Sequence, residues 1–160
     1  MHERADWVDR LARLLREHPA WVAAAGHLRA SATCTVYFSG GLEPWHLVQR
    51  DGETRLLPGA SADPDFVFRF TPAAIERLEA VDGGIGDFAV ALFSLIVDGE
   101  VGFRIVAGFP RLAMRGYVKL LIAAGPSVLA FGATHGVLTT GALRRLVAQM
   151  RAREPADWET

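Results

Sequence analysis

Polar and apolar residues alternate along several short stretches of this chain and repeat at helical spacing along others. Trp7, Val8, Leu11, Leu14 and Leu15 recur at helical spacing, with Asp9, Arg10, Arg13 and Arg16 opposite them. That pattern predicts an amphipathic helix from Asp6 to Glu17. Pro19 suits the first turn of a second short helix, expected to run from Ala20 to Ala30. Thr33 to Ser39 then alternates, Cys34, Val36 and Phe38 against Thr33, Thr35 and Tyr37, as a half-buried strand does. Trp45 to Arg50 and Thr54 to Leu57 flank Asp51-Gly52, a strong hairpin signal. Pro58 to Pro64 is rich in small and turn-forming residues and reads as a loop.

Asp65 to Phe70 is the next strand, with Phe66, Phe68 and Phe70 on one face. Three aromatic rings in a row need cover from helices or from a ligand. Thr71 is a good N-cap and Pro72 a good first residue for the helix that follows, whose inner face is Ile75 and Leu78. Gly83-Gly84-Ile85-Gly86 breaks the chain, and Asp87 can cap a helix from Phe88 to about Val97. That helix carries no charge between Asp87 and Asp98, so it should be buried, or half buried and half lining a cavity. Glu100 to Val106 alternates again, and one helix is expected from Arg111 to about Ala124. On such a helix Arg111, Arg115 and Lys119 share one basic stripe. Gly125-Pro126 ends it, Ser127 to Phe131 is short and apolar, and Gly132 to Gly136 is loose. Thr140 can cap a last helix through Leu143, Leu146, Val147 and Met150.

Helices, a hairpin, and then strands alternating with helices favour an α+β fold. The expected sheet is twisted and mainly antiparallel or mixed, with about five strands, N-terminal helices and a C-terminal helical extension. A chain of 160 residues is expected to form one domain, here spanning 1–160. The formal net charge of −1 gives no strong field to draw in nucleic acid or an anionic membrane. An apolar fraction of 51% is high for a soluble domain and calls for a cavity to line or an interface to cover. Cys34 is the single cysteine, which fits a reducing compartment. With no signal-peptide pattern at the start and no apolar run long enough to span a bilayer, a cytoplasmic location is expected.

Catalytic motifs are weak. Ser94 lacks the flanking glycines of a nucleophile elbow, and Cys34 reads as a small core residue on a strand. The five histidines (His2, His18, His27, His46 and His135) lack metal-ligand spacing, so neither metal nor cofactor is expected. Gly83-Gly84-Ile85-Gly86 before a helix could cradle a phosphate, but it lacks the P-loop lysine and follows a helix, so a plain turn is the simpler reading.

The run Ala62-Asp63-Pro64-Asp65-Phe66-Val67-Phe68-Arg69-Phe70-Thr71-Pro72, after the Asp51-Gly52 hairpin, resembles the SCP2-like (sterol carrier protein 2) family. Ala91-Leu92-Phe93-Ser94 and the alternating strand that follows extend the resemblance, which covers roughly Arg29 to Ala124. It implies a sheet covered by helices that leave an apolar tunnel for fatty acyl lipids, sterols or isoprenoid quinones. On this chain the tunnel would be lined by Phe66, Phe68, Phe70, Leu92, Phe93, Ile96, Phe103, Ile105, Leu120 and Leu121. Arg111, Arg115 and Lys119 could meet a lipid head group or a membrane surface, or could be a solvated helix face. The chain departs from the family in the loose spacing around Gly99 and in continuing past Ala124. That extension could cap the tunnel, fill it with side chains, or form a homodimer contact. The leading expectation is non-catalytic carriage of a hydrophobic molecule. A structural or interaction protein with a filled cavity is the alternative, and an acyl-group enzyme using Ser94 or Cys34 comes third.

Overall fold

The structure is a computed structural model in which residues 2–41, 43–134, 141 and 145 are described. Helix α1 (His2–Glu17) and helix α2 (Pro19–Ala25) lead into strand β1 (Thr33–Phe38) and the hairpin β2 (Trp45–Arg50) and β3 (Glu53–Pro58). Strand β4 (Phe66–Phe70), helices α3 (Pro72–Glu79) and α4 (Ile85–Val97) and strand β5 (Val101–Ile105) follow. Three short helices end the described part, α5 (Phe109–Met114), α6 (Tyr117–Ala124) and α7 (Pro126–Thr134).

The five strands form one sheet in the order β3-β2-β1-β4-β5. It is mixed: β1 runs parallel to β4, and the other neighbours are antiparallel. The turn at Asp51-Gly52 has positive φ at both residues, 53° and 79°, as a two-residue hairpin requires. Register aligns Cys34 with Phe66, Val36 with Phe68 and Phe38 with Phe70, and then Phe66 with Ile105, Phe68 with Phe103 and Phe70 with Val101. Those residues therefore share one face of the sheet. Against it pack Leu11, Leu14 and Leu15 of α1, Ile75 and Leu78 of α3, and Phe88 and Leu95 of α4. A second, smaller cluster joins Ile105, Ala107 and Leu112 to Phe66, Phe103 and Tyr117. On the opposite face the loop after β3 folds back, so that Ser61 donates its backbone N–H to Thr35 Oγ1 at 3.1 Å and Thr35 is buried.

Local signals set most element ends. Thr71 Oγ1 accepts the Ala74 N–H at 3.1 Å and caps α3. His18 caps α2 by accepting the Ala20 N–H at Nδ1 (3.3 Å), while its Nε2 lies 3.0 Å from the Val81 carbonyl and its ring packs on Phe88.

Helix α1 begins at His2 rather than Asp6, and three further expected boundaries move. First, α2 stops at Ala25 rather than Ala30. Gly26 caps it, and the turn that follows docks on the α5–α6 joint, where Arg29 donates its N–H to the Arg115 carbonyl at 2.9 Å. Second, α4 starts at Ile85, three residues early; Asp87 caps it from inside, its carboxylate accepting the Gly84 N–H at 3.0 Å. Third, the single helix expected over Arg111 to Ala124 is two helices, broken at Gly116, which has φ +96°. A Cβ at Gly116 would stand 2.2 Å from the His27 carbonyl oxygen, so the close approach of the α2 turn requires glycine there. The stretch expected to be loose after Phe131 is helical as far as Thr134. The predicted last helix, from Thr140 through Leu143, Leu146, Val147 and Met150, falls largely outside the described residues, as does His135.

Candidate functional site

Asp65 is fully buried at the entry to β4, and every partner it has comes from a distant part of the chain or from a neighbouring strand. Its Oδ2 accepts the Thr33 N–H at 3.1 Å and the Tyr117 hydroxyl at 2.9 Å. Its Oδ1 accepts from Arg115 Nη1 at 2.6 Å, and Arg111 Nε stands 3.4 Å away without hydrogen-bond geometry. Asp63 pairs with both arginines: Arg115 Nη2 lies 3.3 Å from its Oδ2, and Arg111 Nη1 bonds to its Oδ1. Arg111 Nη2 also donates to the Pro64 carbonyl at 2.9 Å. Two carboxylates thus meet two guanidiniums, and the charges balance. Cys34 extends the cluster, its Sγ 3.7 Å from the Tyr117 hydroxyl.

This cluster has the residues of a reactive site but not the protonation. Burial pushes the Cys34 thiol up to about 12, against which the hydrogen bond with Tyr117 is a smaller effect. Burial likewise raises the Tyr117 hydroxyl, with Cys34 and Asp65 adding to it. Neither group supplies a nucleophile or base near neutral pH. The arrangement instead holds the α5–α6 joint onto the start of β4. The sequence pattern puts Arg111 and Arg115 on one basic stripe with Lys119; in the structure the first two pair with Asp63 and Asp65, and Lys119, beyond the break at Gly116, is the exposed member of the three. The available signal was two acids two residues apart, Asp63 and Asp65, matched by two arginines four apart.

The phosphate reading of Gly83-Gly84-Ile85-Gly86 has no room for an anion. Asp87 already takes the Gly84 N–H, and a Cβ at Gly86 would stand 2.4 Å from the Ala124 carbonyl oxygen, so this turn is where α4 crosses the end of α6.

Beside the polar cluster lies an aromatic floor. Phe66 stacks on Phe103 with centroids 5.4 Å apart, Phe68 on Phe70 at 5.6 Å, and Phe68 leans on Phe103 at 5.1 Å. Tyr117 meets Phe66 edge-on at 4.8 Å, so one side chain ends the floor with its ring and joins the polar cluster with its hydroxyl. Of the residues expected to line a tunnel, Phe70 and Ile105 are buried. Phe66, Phe68, Leu92, Phe93, Ile96, Phe103, Leu120 and Leu121 are all half-buried. Phe93 stacks on Phe131 of α7 at 6.1 Å. The floor is therefore partly covered by α4 and α6 and partly open. Two surface clefts lie elsewhere. One, of about 280 Å³, is lined by Arg13, Leu14, Glu17, His18 and Glu79, and another, of about 250 Å³, by Glu43, Pro44, Trp45, Pro58 and Gly59.

No family model matches the chain, and no curated protein matches it. Among solved structures it is similar to one described as UbiJ-SCP2 ubiquinone synthesis protein, at 19% identity, covering 71% of this chain and 84% of that one, with a TM-score of 0.44. It is also similar to a conserved hypothetical protein from Thermus thermophilus, suggested in its description to be a sterol carrier protein. The identity there is 21%, over 77% of this chain and 90% of that one, with a TM-score of 0.34. The stereoselective inverting sec-alkylsulfatase Pisa1 from Pseudomonas sp. is 16% identical over 65% of this chain and 14% of its own length, at a TM-score of 0.39. The layout is α+β, with a five-stranded mixed sheet covered by the seven described helices.

Proposed function

We propose that this protein binds or carries a hydrophobic ligand, a fatty acyl, sterol-like or isoprenoid lipid, without covalent chemistry. The observation that carries this reading is the half-open aromatic floor of Phe66, Phe68 and Phe103 between α4 and α6. A well-packed core leaves few large rings in this state, because each loses contacts and apolar burial that a neighbour would supply. A ligand chain that covers a further ~200 Å² of apolar surface there gains about 5 kcal/mol, at about 25 cal/mol per Å² and before association costs. Of the head-group candidates, Lys119 is the one free to meet an anionic group at the rim, since Arg111 and Arg115 are held by Asp63 and Asp65. Cys34, held protonated, and Ser94, on the apolar helix α4, are assigned no chemistry. A cytoplasmic carrier of this kind would load and unload by transient contact with a membrane surface.

Native mass spectrometry of the freshly purified full chain, followed by solvent extraction, tests this reading. One lipid class, bound as a discrete extra mass, is the expected result. An apo mass, with no binding of added fatty acids or quinones, overturns it.

A further inference from the structure

We propose that the exposed faces of α6 and α7, with the end of α5, form a docking surface for an anionic lipid bilayer. Met114 is 75% exposed, Ile122 74% and Leu129 61%, and they come from three consecutive helices. Such side chains on one run of chain mark a contact surface more strongly than scattered ones do. Among the described residues no single helix is long and apolar enough to cross a membrane, and α6 and α7 are bent by 95° at their junction. Two short apolar helices set at a corner suit burial of side chains into the interfacial layer rather than a span.

Charge selects the partner. Between Val101 and Arg153 the sequence has no Asp or Glu, and all 18 of the chain's acids lie outside that stretch. The same stretch holds Arg104, Arg111, Arg115, Lys119, Arg144, Arg145, Arg151 and Arg153. Arg111 and Arg115 are neutralised by Asp63 and Asp65, whereas Lys119 stands exposed on α6 itself. The neighbouring helix α4 keeps its acids to its ends, at Asp87 and Asp98. An apolar surface that carries the exposed Lys119, in a stretch of sequence without acids, is complementary to acidic phospholipids. The proposal deepens the carrier reading by naming where lipid would be exchanged, and rests on it in that respect.

The test is co-flotation of the full chain with vesicles of phosphatidylglycerol and phosphatidylcholine, against vesicles of phosphatidylcholine alone. Binding to the anionic vesicles, weakened by salt, is expected. Ile122→Ser with Leu129→Ser should lower partition about tenfold or more, since both side chains already stand in water and cost the fold little. Lys119→Glu should lower it about fivefold or more. Phe68→Asp should lose fatty acid uptake and keep vesicle binding, which separates a failure of this surface from a failure of the carrier reading. Wild-type protein that floats with neither vesicle overturns the proposal, as do variants that float like wild type. A lipid-free dimer that Ile122→Ser with Leu129→Ser dissociates assigns the face to a second copy and also overturns it.

Discussion

Two neighbouring stretches of one strand entry behave in opposite ways. Asp65 is a charge with no exposure at all; three groups hydrogen-bond to its carboxylate, and the Arg111 guanidinium stands within ion-pair distance. Phe66 and Phe68, one and three residues further on, are apolar and stay partly exposed. Buried charges persist when paired and hydrogen-bonded, so the cluster that carries the chemistry-bearing side chains is a structural joint. Apolar groups left uncovered are where a ligand has something to gain. In this protein the polar constellation holds the architecture and the plain hydrophobic floor holds the candidate function.

The sharpest way to break the comparison is Asp65→Ala. It leaves Arg115 and the Tyr117 hydroxyl without their buried acceptor, and should cost about 3–5 kcal/mol in denaturant unfolding. Removing the exposed Arg77–Glu100 pair by Arg77→Ala should cost less than about 1 kcal/mol in the same experiment. Equal losses would show that burial is not what gives the Asp65 cluster its weight.

Phe68→Ala should divide stability from uptake. The ring is only half-buried, so the variant should lose about 1–3 kcal/mol, toward or below the low end for a core phenylalanine. Fatty acid uptake should fall by about tenfold or more, because the ring stands between Phe66, Phe70 and Phe103 in the middle of the floor. Full uptake by this variant, read by fluorescent fatty acid titration, would move the ligand away from β4.

The smallest effect is alkaline. Cys34 has an ordinary value of 9.0 and is pushed up to about 12 by burial. The folded state therefore favours the protonated thiol. Its contribution is fully present below about pH 9 and is lost as pH rises toward about 12. Cys34→Ala should flatten the fall in thermal stability across that window, and native Cys34 should resist thiol reagents at neutral pH until the chain unfolds. Rapid labelling of the folded protein would show that the α5–α6 joint opens.

Much of the fold was legible because its signals are local. Alternation in Thr33–Phe38 and Phe66–Phe70, the Asp51-Gly52 turn and the Thr71-Pro72 start each depend on residues a few positions apart, and each stands where the pattern put it. The aromatic row was legible for the same reason, since strand periodicity alone puts Phe66, Phe68 and Phe70 on one face. What needed the tertiary structure was the partner of each group. Arg111 and Arg115 keep helical spacing whether or not Gly116 breaks the helix, and the break follows from a contact with His27, about ninety positions earlier. The pairing of Arg115 and Tyr117 with Asp65 spans 50 and 52 residues, a separation that no local period encodes. How far Phe66, Phe68 and Phe103 are covered was likewise decided by where α4 and α6 come to rest, because hydrophobic burial has no direction of its own and takes its shape from the packing of the whole chain.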